Sequence, residues 1–282
     1  MSKVLERVVL SRLSEYLETS CQHEPHQSAY RPVHSTETAL VRVSNDILMA
    51  LDQRKAATLV LLDLSAAFDT FDHGLMRKRL SDIGIKGRAH EWFSSYLQGR
   101  VQSVSIQGIT SQSVPLKCGV PQGSVLGPFL FTQYTVPIGA ICRRHGVSYQ
   151  LYADDTQLYV TFKVNDPEDL QSALLRIEAC ISEIRAWMVL HRLKLNDDKT
   201  EYVFFVSVQN SGKITIQPIH IGDATITSTP SARNIGVIFD ETLNMERHIS
   251  KVCQVCHHWL RNIRRIRPCL SVESTCQLVQ AL

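Results

Sequence analysis

The chain has 282 residues, of which 44% are hydrophobic and 20% are charged, and its formal net charge is +3. This composition is that of an ordinary globular protein with a large core, and so small a net charge does not by itself indicate a nucleic-acid partner. Residues 1–7 carry charges within the first apolar turn, so we expect no secretory signal, and no apolar run is long enough to span a membrane. We therefore expect an intracellular protein, nuclear or cytoplasmic, with no membrane partner and with its eight cysteines reduced.

The first half of the chain predicts helices around one buried strand. Residues 57–64 form a short apolar run bounded by charge, which suits a buried strand better than a helix. Apolar residues recur at helical spacing before and after this run, and side chains at 35–38 can cap one of the helices. The predicted elements are a helix at 4–17, a helix ending near 51, the strand at 57–64, a helical region at 73–97 broken by Gly84 and Gly87, and a hairpin strand at 101–109 with Gly108 in its turn.

The second half opens with a loop rich in glycine and proline at 119–128, which leads into an apolar segment at 129–141. Asp166 and Pro167 predict the cap and the first turn of a long helix, whose apolar residues recur in steps of three and four. Because αβ and ββ connections are mixed, we predict an α+β fold rather than a doubly wound sheet. The remaining predicted elements are strands at 201–206, 214–221 and 234–239, and a basic helix at about 247–266.

The most informative stretch is residues 148–160, which predict a β-hairpin with Asp154 and Asp155 at its tip. Neighbouring carboxylates raise each other's proton affinity unless a cation lies with them, and a hard divalent ion with oxygen ligands is the obvious candidate. Asp63 ends the strand at 57–64, so all three carboxylates can meet at one edge of a single sheet. Three carboxylates suit two Mg²⁺ or Mn²⁺ ions that catalyse phosphoryl transfer. For an isolated Asp-Asp pair the alternative is an acidic turn in water.

Basic residues cluster at 77–79 and at 247–267, and the second segment contains no acid. Such clustering is typical of surfaces that contact nucleic-acid phosphates. Residues 253–257 match the Cys-x-x-Cys-His spacing of covalent haem attachment, but that chemistry belongs to exported proteins. We predict instead that these residues form part of a helix face.

Five segments occur in the order found in reverse transcriptases and resemble most closely those of non-LTR (LINE-type) retrotransposons. They are residues 62–69, 119–128, 152–155, 193–200 and 234–240. The resemblance implies an RNA-directed DNA polymerase that extends a DNA primer on an RNA template with dNTPs and two Mg²⁺ or Mn²⁺ ions. It also implies a right-hand polymerase fold, in which an antiparallel palm sheet packs on helices. The fingers would lie at roughly 1–57 and 74–118, the palm at roughly 58–73 and 119–245, and the start of a thumb at 246–282.

The resemblance assigns catalytic roles to individual residues. The metal-binding aspartates would be Asp63, Asp154 and Asp155, with the Leu64 carbonyl as a further ligand. Lys199 would protonate the pyrophosphate leaving group as a general acid. From the residues alone, a lysine exposed to solvent at the end of a helix explains this position equally well.

Further roles concern the nucleotide and the primer. The resemblance implies that the Phe68 ring lies beneath the sugar and excludes a 2′-hydroxyl, which would select deoxynucleotides. Without the resemblance, Phe68 is equally a core aromatic. The other residues implied are Pro121, Gln122 and Gly123 in a loop against the incoming nucleotide, Arg31 as a phosphate ligand, and Ile235, Gly236 and Val237 in the primer grip. A plain turn is the alternative for the loop.

Departures from the family pattern are few. Ala29 and Tyr30 stand where the family more often has Gly-Phe, and Gln133 introduces a polar group into a usually apolar helix. We expect the chain to lack the endonuclease of such elements and most of the thumb. The alternative function is therefore a truncated, catalytically idle remnant that binds nucleic acid. An RNA-dependent RNA polymerase is disfavoured by Phe68 and by the sequence around Pro121.

Overall fold

The structure, a computed structural model, describes residues 2–65, 70–120, 123–210, 214–222 and 224–281. Phe68, Pro121 and Gln122, which the sequence assigns to the nucleotide, lie outside the described residues. The helices are α1 (Ser2–Thr19), α2 (Thr36–Asp52), α3 (His73–Asp82), α4 (Gly87–Leu97), α5 (Leu126–Arg144), α6 (Pro167–Leu190), α7 (Glu246–Ile266) and α8 (Val272–Gln280). The strands are β1 (Lys55–Leu62), β2 (Leu64–Ser65), β3 (Val101–Gln102), β4 (Ser105–Ile106), β5 (Ile109–Thr110), β6 (Val114–Pro115), β7 (Ser148–Tyr152), β8 (Asp155–Lys163), β9 (Lys194–Leu195), β10 (Glu201–Phe205), β11 (Ile219–Ile221), β12 (Ala224–Ile226), β13 (Ser231–Asn234) and β14 (Val237–Asp240).

Four strands form the central sheet in the order β10-β1-β8-β7, and each neighbouring pair is antiparallel. In β1, Val60 lies opposite Leu158 of β8 on one side and Tyr202 of β10 on the other. The apolar run at 57–64 is therefore the inner strand that its composition predicts. The predicted antiparallel sheet is confirmed.

Side chains of β1 alternate between two cores, as expected for a strand that is buried on both faces. Leu59 and Leu61 belong to a core that they share with Ile47 of α2 and Phe239 of β14. Val60 belongs to the opposite core, which includes the apolar faces of α5 and α6. The sheet is thus a middle layer with α2 on one side and α5 and α6 on the other.

Helix α6 begins where its capping residue predicts. The Asp166 side chain accepts the backbone N–H of Asp169 at 3.1 Å, and Pro167 occupies the first turn. Leu174 and Ile181 lie on the buried stripe of this helix. Both the boundary and the core-facing side of this helix follow from local sequence.

Replacing Asp166 by alanine is expected to lower the free energy of unfolding by about 1 kcal/mol, because the N–H of Asp169 loses its acceptor. Urea denaturation followed by circular dichroism measures this change. Glu168→Ala is the matched control, since Glu168 lies in the same turn without serving as the N-cap. An equal loss in both variants would contradict the capping role.

Helix α1 is confirmed, but the apolar face predicted for its first half is largely exposed. Leu13 and Leu17 are buried, whereas Val4, Leu5 and Val8 are 66%, 53% and 49% exposed. Helical spacing identifies a potential apolar face, and it does not show how far a packing partner extends along that face.

Two strand predictions are wrong in extent. The segment 101–109 contains two short exposed strands, β3 and β4, and the turn at Gln107 and Gly108 joins β4 to β5. Both turn residues have positive φ, so the predicted turn at Gly108 is confirmed. In the segment 214–221 only the last three residues form a strand, β11.

The predicted strand at 234–239 is instead a hairpin. Strands β13 and β14 pair through Asn234 and Val237, and Ile235 and Gly236 form the turn between them. Their φ angles are 42° and 90°, the left-handed region that two-residue hairpin turns require. The residues predicted to grip the primer therefore lie at and beside a hairpin turn.

The predicted basic helix is confirmed as α7. Residues 253–257 lie within this helix, and all eight cysteines are free thiols. Among the described helices, none is both long and apolar enough to cross a membrane.

Candidate active site

The hairpin of β7 and β8 carries the two neighbouring acids. Tyr152 pairs with Asp155, so Ala153 and Asp154 form the turn and Asp155 is the first residue of β8. Ala153 has φ 55°, which lets the chain reverse within two residues. Both carboxylates are therefore at the end of the sheet, as the sequence predicts.

Asp63 reaches the same end of the sheet from the neighbouring strand. Leu62, the last residue of β1, pairs with Thr156 of β8. One further step in this antiparallel register brings Asp63 across from Asp155. The three predicted metal ligands are thus brought together although they are far apart in sequence.

Burial and mutual repulsion disturb the titration of this group. Burial, followed by the charges of Asp154 and Asp63, raises the pKa of Asp155 to about 6. Burial also raises the pKa of Asp154, and the charge of Asp63 adds to this effect while Lys199 opposes it. A positive charge close to these carboxyl groups would therefore stabilise their ionised forms.

Lys199 supplies a positive charge at the site. Its Nζ lies 3.2 Å from Asp63 Oδ2. The segment that carries Lys199 is fixed by a hydrogen bond from Asn196 N to Asp63 O at 2.9 Å and by pairing of Leu64 with Leu195. Leu64 therefore lies in a short strand beside the site, and its predicted carbonyl ligation stays a prediction.

An open cavity of about 370 Å³, here called the carboxylate cleft, lies at this end of the sheet. It is lined by Leu61, Leu62, Asp63, Asp155, Asp198, Lys199, Glu201 and Arg233. Sequence reasoning missed Asp198, Glu201 and Arg233. Asp198 and Glu201 flank Lys199, so their proximity to the predicted lysine was the available signal. Arg233 comes from β13, and only the fold brings it here.

The segment around Arg31 is attached to the edge of β7. Ser28 N donates to Leu151 O at 3.1 Å, and Gln27 Oε1 accepts from Ala153 N at 3.2 Å. Burial and then the charge of Asp154 raise the pKa of Tyr30, which places that ring near the hairpin turn. Arg31 is half-buried beside Tyr30, and its proposed contact with phosphate stays a prediction.

The turn that the sequence predicts to grip the primer is linked to β8 by a buried hydrogen bond. Asn234 Nδ2 donates to Gln157 Oε1 at 2.9 Å, and Gln157 follows Asp155 by two positions on β8. Ile235 and Gly236 do not line the carboxylate cleft, whereas Arg233 of the same hairpin does. The predicted grip is therefore attached to the strand that begins at Asp155.

Gly123 is the described member of the predicted nucleotide-binding trio. It is exposed and has φ 79°, a conformation that favours glycine over any residue with a Cβ. Its predicted contact with the incoming nucleotide stays a prediction.

The donor set at the cleft fits a hard divalent cation. Asp63, Asp154 and Asp155 offer carboxylate oxygens at this end of the sheet. Burial, followed by the charges of Asp154 and Asp63, raises the pKa of Asp155, so a cation bound here would stabilise the ionised carboxylates. Within the described ranges, no three histidine, cysteine or acidic side chains already converge on a common metal position. Asp63 is instead paired with Lys199.

An antiparallel sheet packed on helices, with three aspartates at one end, is the arrangement expected for the palm of a nucleotide polymerase. Residues 1–239 match the family described as reverse transcriptase (RNA-dependent DNA polymerase). The chain therefore belongs to the reverse transcriptase family.

Two of the similar curated proteins come from mobile elements of Drosophila. The probable RNA-directed DNA polymerase from transposon X-element of Drosophila melanogaster is 26% identical over 94% of this chain and 29% of its own length. The RNA-directed DNA polymerase from mobile element jockey of Drosophila funebris is 29% identical over 89% of this chain and 27% of its own length. The expected likeness to non-LTR, LINE-type elements is confirmed, and the chain spans less than a third of the length of these relatives.

Among solved structures, apo telomerase from Candida tropicalis, truncated from its C-terminal domain, is similar with a TM-score of 0.58. The similarity covers 86% of this chain and 45% of the telomerase chain at 15% sequence identity. This likeness confirms the predicted right-hand polymerase fold.

Proposed function

We propose that this chain is the catalytic core of an RNA-directed DNA polymerase, which adds dNTPs to a DNA primer paired with an RNA template. The observation that carries the proposal is the meeting of Asp63, Asp154 and Asp155 at one end of the sheet, with the pKa of Asp155 raised to about 6. Perturbed carboxylates in a cleft mark a candidate functional site, and membership of the reverse transcriptase family supplies the reaction class.

Asp63, Asp154 and Asp155 would hold two Mg²⁺ or Mn²⁺ ions, with the Leu64 carbonyl as a further ligand. When bound, such ions would neutralise charge on the triphosphate and lower the pKa of the primer 3′-hydroxyl. The chain's own contribution is to hold the carboxylates in place by the register of β1 against β8.

Lys199 would hold a proton at Nζ for the departing pyrophosphate. Its side chain is 69% exposed and lies at the rim of the carboxylate cleft, where a leaving phosphate can approach it. A positioned general acid of this kind typically contributes about 10²–10⁴ in rate.

Lys199→Gln is expected to lower kcat for dNTP incorporation about 100-fold while the Kd for primer-template changes less than threefold. Single-turnover primer extension measures this rate. The rate of the Lys199→Gln variant should stay low even at saturating Mg²⁺, because the variant lacks the proton donor. Lys194→Gln, which removes an exposed lysine from β9 in the same segment, is the control. Recovery of the rate at high Mg²⁺ would assign the effect to the ion pair with Asp63 instead.

The remaining predicted residues would arrange the substrates. Arg31 would bind phosphate, and Gly123 with Pro121 and Gln122 would form the loop against the nucleotide. Phe68 would exclude ribonucleotides, and the turn containing Ile235, Gly236 and Val237 would position the primer end. The basic face of α7 would follow the phosphates of the RNA–DNA hybrid, so binding should weaken as salt rises. Fingers, palm and the first thumb helices would follow the boundaries expected from the sequence.

The deciding experiment is extension of an oligo(dT) primer on an RNA template with Mg²⁺ and dNTPs. The control is the same chain with Asp154→Ala and Asp155→Ala. Extension that disappears in the control would support the polymerase and its metal site together. Tight binding of primer-template by both proteins without extension would instead favour a catalytically idle nucleic-acid-binding remnant.

A further inference from the structure

The nucleotide loop, residues 119–125, is held at its first residue by α3. The His73 imidazole Nε2 lies 2.6 Å from the carbonyl oxygen of Gly119. A carbonyl only accepts hydrogen bonds, so the proton of His73 must be on Nε2 in this contact. Gly119 N donates to Phe71 O at 2.9 Å, and both polar backbone groups of Gly119 are therefore engaged.

The other end of the loop is held by α1. Glu6 Oε2 accepts the backbone N–H of Val125 at 2.7 Å and that of Leu126 at 3.2 Å. Ser2 Oγ donates to Glu6 Oε1 at 2.8 Å, and the Tyr96 hydroxyl donates to Glu6 Oε2 at 3.3 Å. Only 5% of the Glu6 surface is exposed, so this carboxylate is committed to these donors.

Glu6 supplies the acceptor that the N-cap residue of α5 lacks. The first N–H groups of α5 need acceptors, and Val125 at its N-cap position has no side chain that can accept them. Burial by itself raises the pKa of Glu6, but hydrogen bonds from Ser2, Leu126 and Val125 hold the pKa below its usual value. The carboxylate is therefore ionised at the positive end of the α5 dipole.

The two ends of the loop also meet each other. A methyl group on Gly127 would overlap the side chains of both Val120 and Ser124. Ser124 Oγ additionally accepts the N–H of Gly127 at 3.1 Å. The entry and exit of the loop therefore close over the first turn of α5, which limits how far either end can shift independently.

We infer that Glu6 and His73 are positioning residues, which fix the two ends of the nucleotide loop and thereby set the affinity for the incoming dNTP. This inference rests on the proposed polymerase function. Neither residue lines the carboxylate cleft, and both act through backbone groups of the loop. A small displacement of a substrate-positioning element can cost about 100-fold in rate, so loss of either contact should affect nucleotide use strongly.

The test compares Glu6→Leu and His73→Leu with Glu6→Gln and His73→Gln. A glutamine at 6 retains an accepting oxygen, and a glutamine at 73 retains a donor in place of Nε2–H. We expect the leucine variants to exchange the amide hydrogens of residues 119–127 faster and to raise KM for dNTP about 10-fold or more. The glutamine variants should be close to the wild type in both amide hydrogen exchange and KM for dNTP. The Kd for primer-template should change less than twofold.

Tyr96→Phe provides a milder variant, because it removes one hydrogen bond to Glu6 and keeps the ring. It keeps the inference testable if a leucine variant does not fold, and it should give a smaller increase in both readouts. Glu15→Leu, which replaces an exposed glutamate on α1, is the control and should leave both unchanged.

Two results would overturn the inference. Unchanged hydrogen exchange would show that the side chains do not hold the loop, and faster exchange with unchanged KM would reduce them to a structural role. If the wild-type chain incorporates no dNTP, the proposed function fails and the nucleotide role fails with it. The exchange measurement then still reports separately on whether Glu6 and His73 hold the loop.

Discussion

Asp155→Asn is expected to abolish primer extension and, in EDTA at pH 7.5, to raise the melting temperature of the protein. The carboxylate has a pKa of about 6 in the folded chain, because it is buried beside Asp154 and Asp63, against about 3.9 when unfolded. At a pH between these two pKa values, Asp155 carries a proton in the folded state and has lost it in the unfolded state. Stability therefore falls as pH rises from about 4 to 6, and above that range the full penalty of an ionised Asp155 is present.

Asparagine is uncharged and removes this penalty, which we expect to stabilise the protein by about 1–3 kcal/mol at pH 7.5. For a chain of this size the corresponding rise in melting temperature is at least about 2 °C. Differential scanning fluorimetry measures it. The difference between the two proteins should shrink at pH 4.5, where Asp155 of the wild type is mostly protonated.

Addition of Mg²⁺ provides the matching control. It should raise the melting temperature of the wild type more than that of Asp155→Asn, because a ligand stabilises the state to which it binds. Retained extension by the variant would remove Asp155 from the catalytic site. A lower melting temperature in EDTA would contradict the electrostatic origin of the raised pKa.

Gly139→Ala is expected to destabilise the fold by about 3 kcal/mol or more, since an added methyl group must displace a buried and hydrogen-bonded carboxylate. Gly139 lies on the buried face of α5, directly against the Glu24 carboxylate, and its Cβ would lie 2.7 Å from Oε1. Oε1 of Glu24 also accepts from Arg143 Nη1 at 2.8 Å and from the Tyr149 hydroxyl at 2.5 Å. The segment that follows Glu24 is attached to β7, so primer extension should decrease as well.

A double-mutant cycle isolates the cause of this effect. In a Glu24→Ala background the obstruction is gone, so Gly139→Ala should be neutral or stabilise α5 by up to about 1 kcal/mol. In a Glu24→Gln background the side chain keeps its size, and Gly139→Ala should remain costly. Equal losses in all three backgrounds, measured by urea denaturation, would show that Glu24 is not the obstacle.

Local patterns were sufficient to predict several elements of the central sheet and the long helix that packs on it. The apolar run that became β1, the aromatic and β-branched flanks of the Asp154 hairpin, and the cap at Asp166 each carry their signal within a few residues. The approach of Asp63 to Asp155 also follows, once the two strands are taken as neighbours. For these parts, local preference and tertiary packing agree.

Other features depend on partners that no local pattern reveals. Nothing in the sequence spacing of α1 marks Glu6 as a buried residue. Only the fold brings its side chain to the first turn of α5. Arg233 enters the cleft because β13 pairs with β14 beside β10. The turn at Ile235 and Gly236 did have a signal, since asparagine and glycine flank the isoleucine, but the apolar alternation around it favoured a continuous strand.

The position of β1 between β8 and β10 has a consequence for how the chain is made. Both partners of β1 are synthesised long after it, at residues 155–163 and 201–205. At ribosomal rates of about 5–20 residues per second, this apolar strand emerges on the order of ten seconds before its last neighbour exists. During that interval α2, the element just before it, is the nearest available cover for one of its faces. The central sheet therefore cannot close before residue 205 has been synthesised, and until then its apolar strands are open to aggregation and to chaperones.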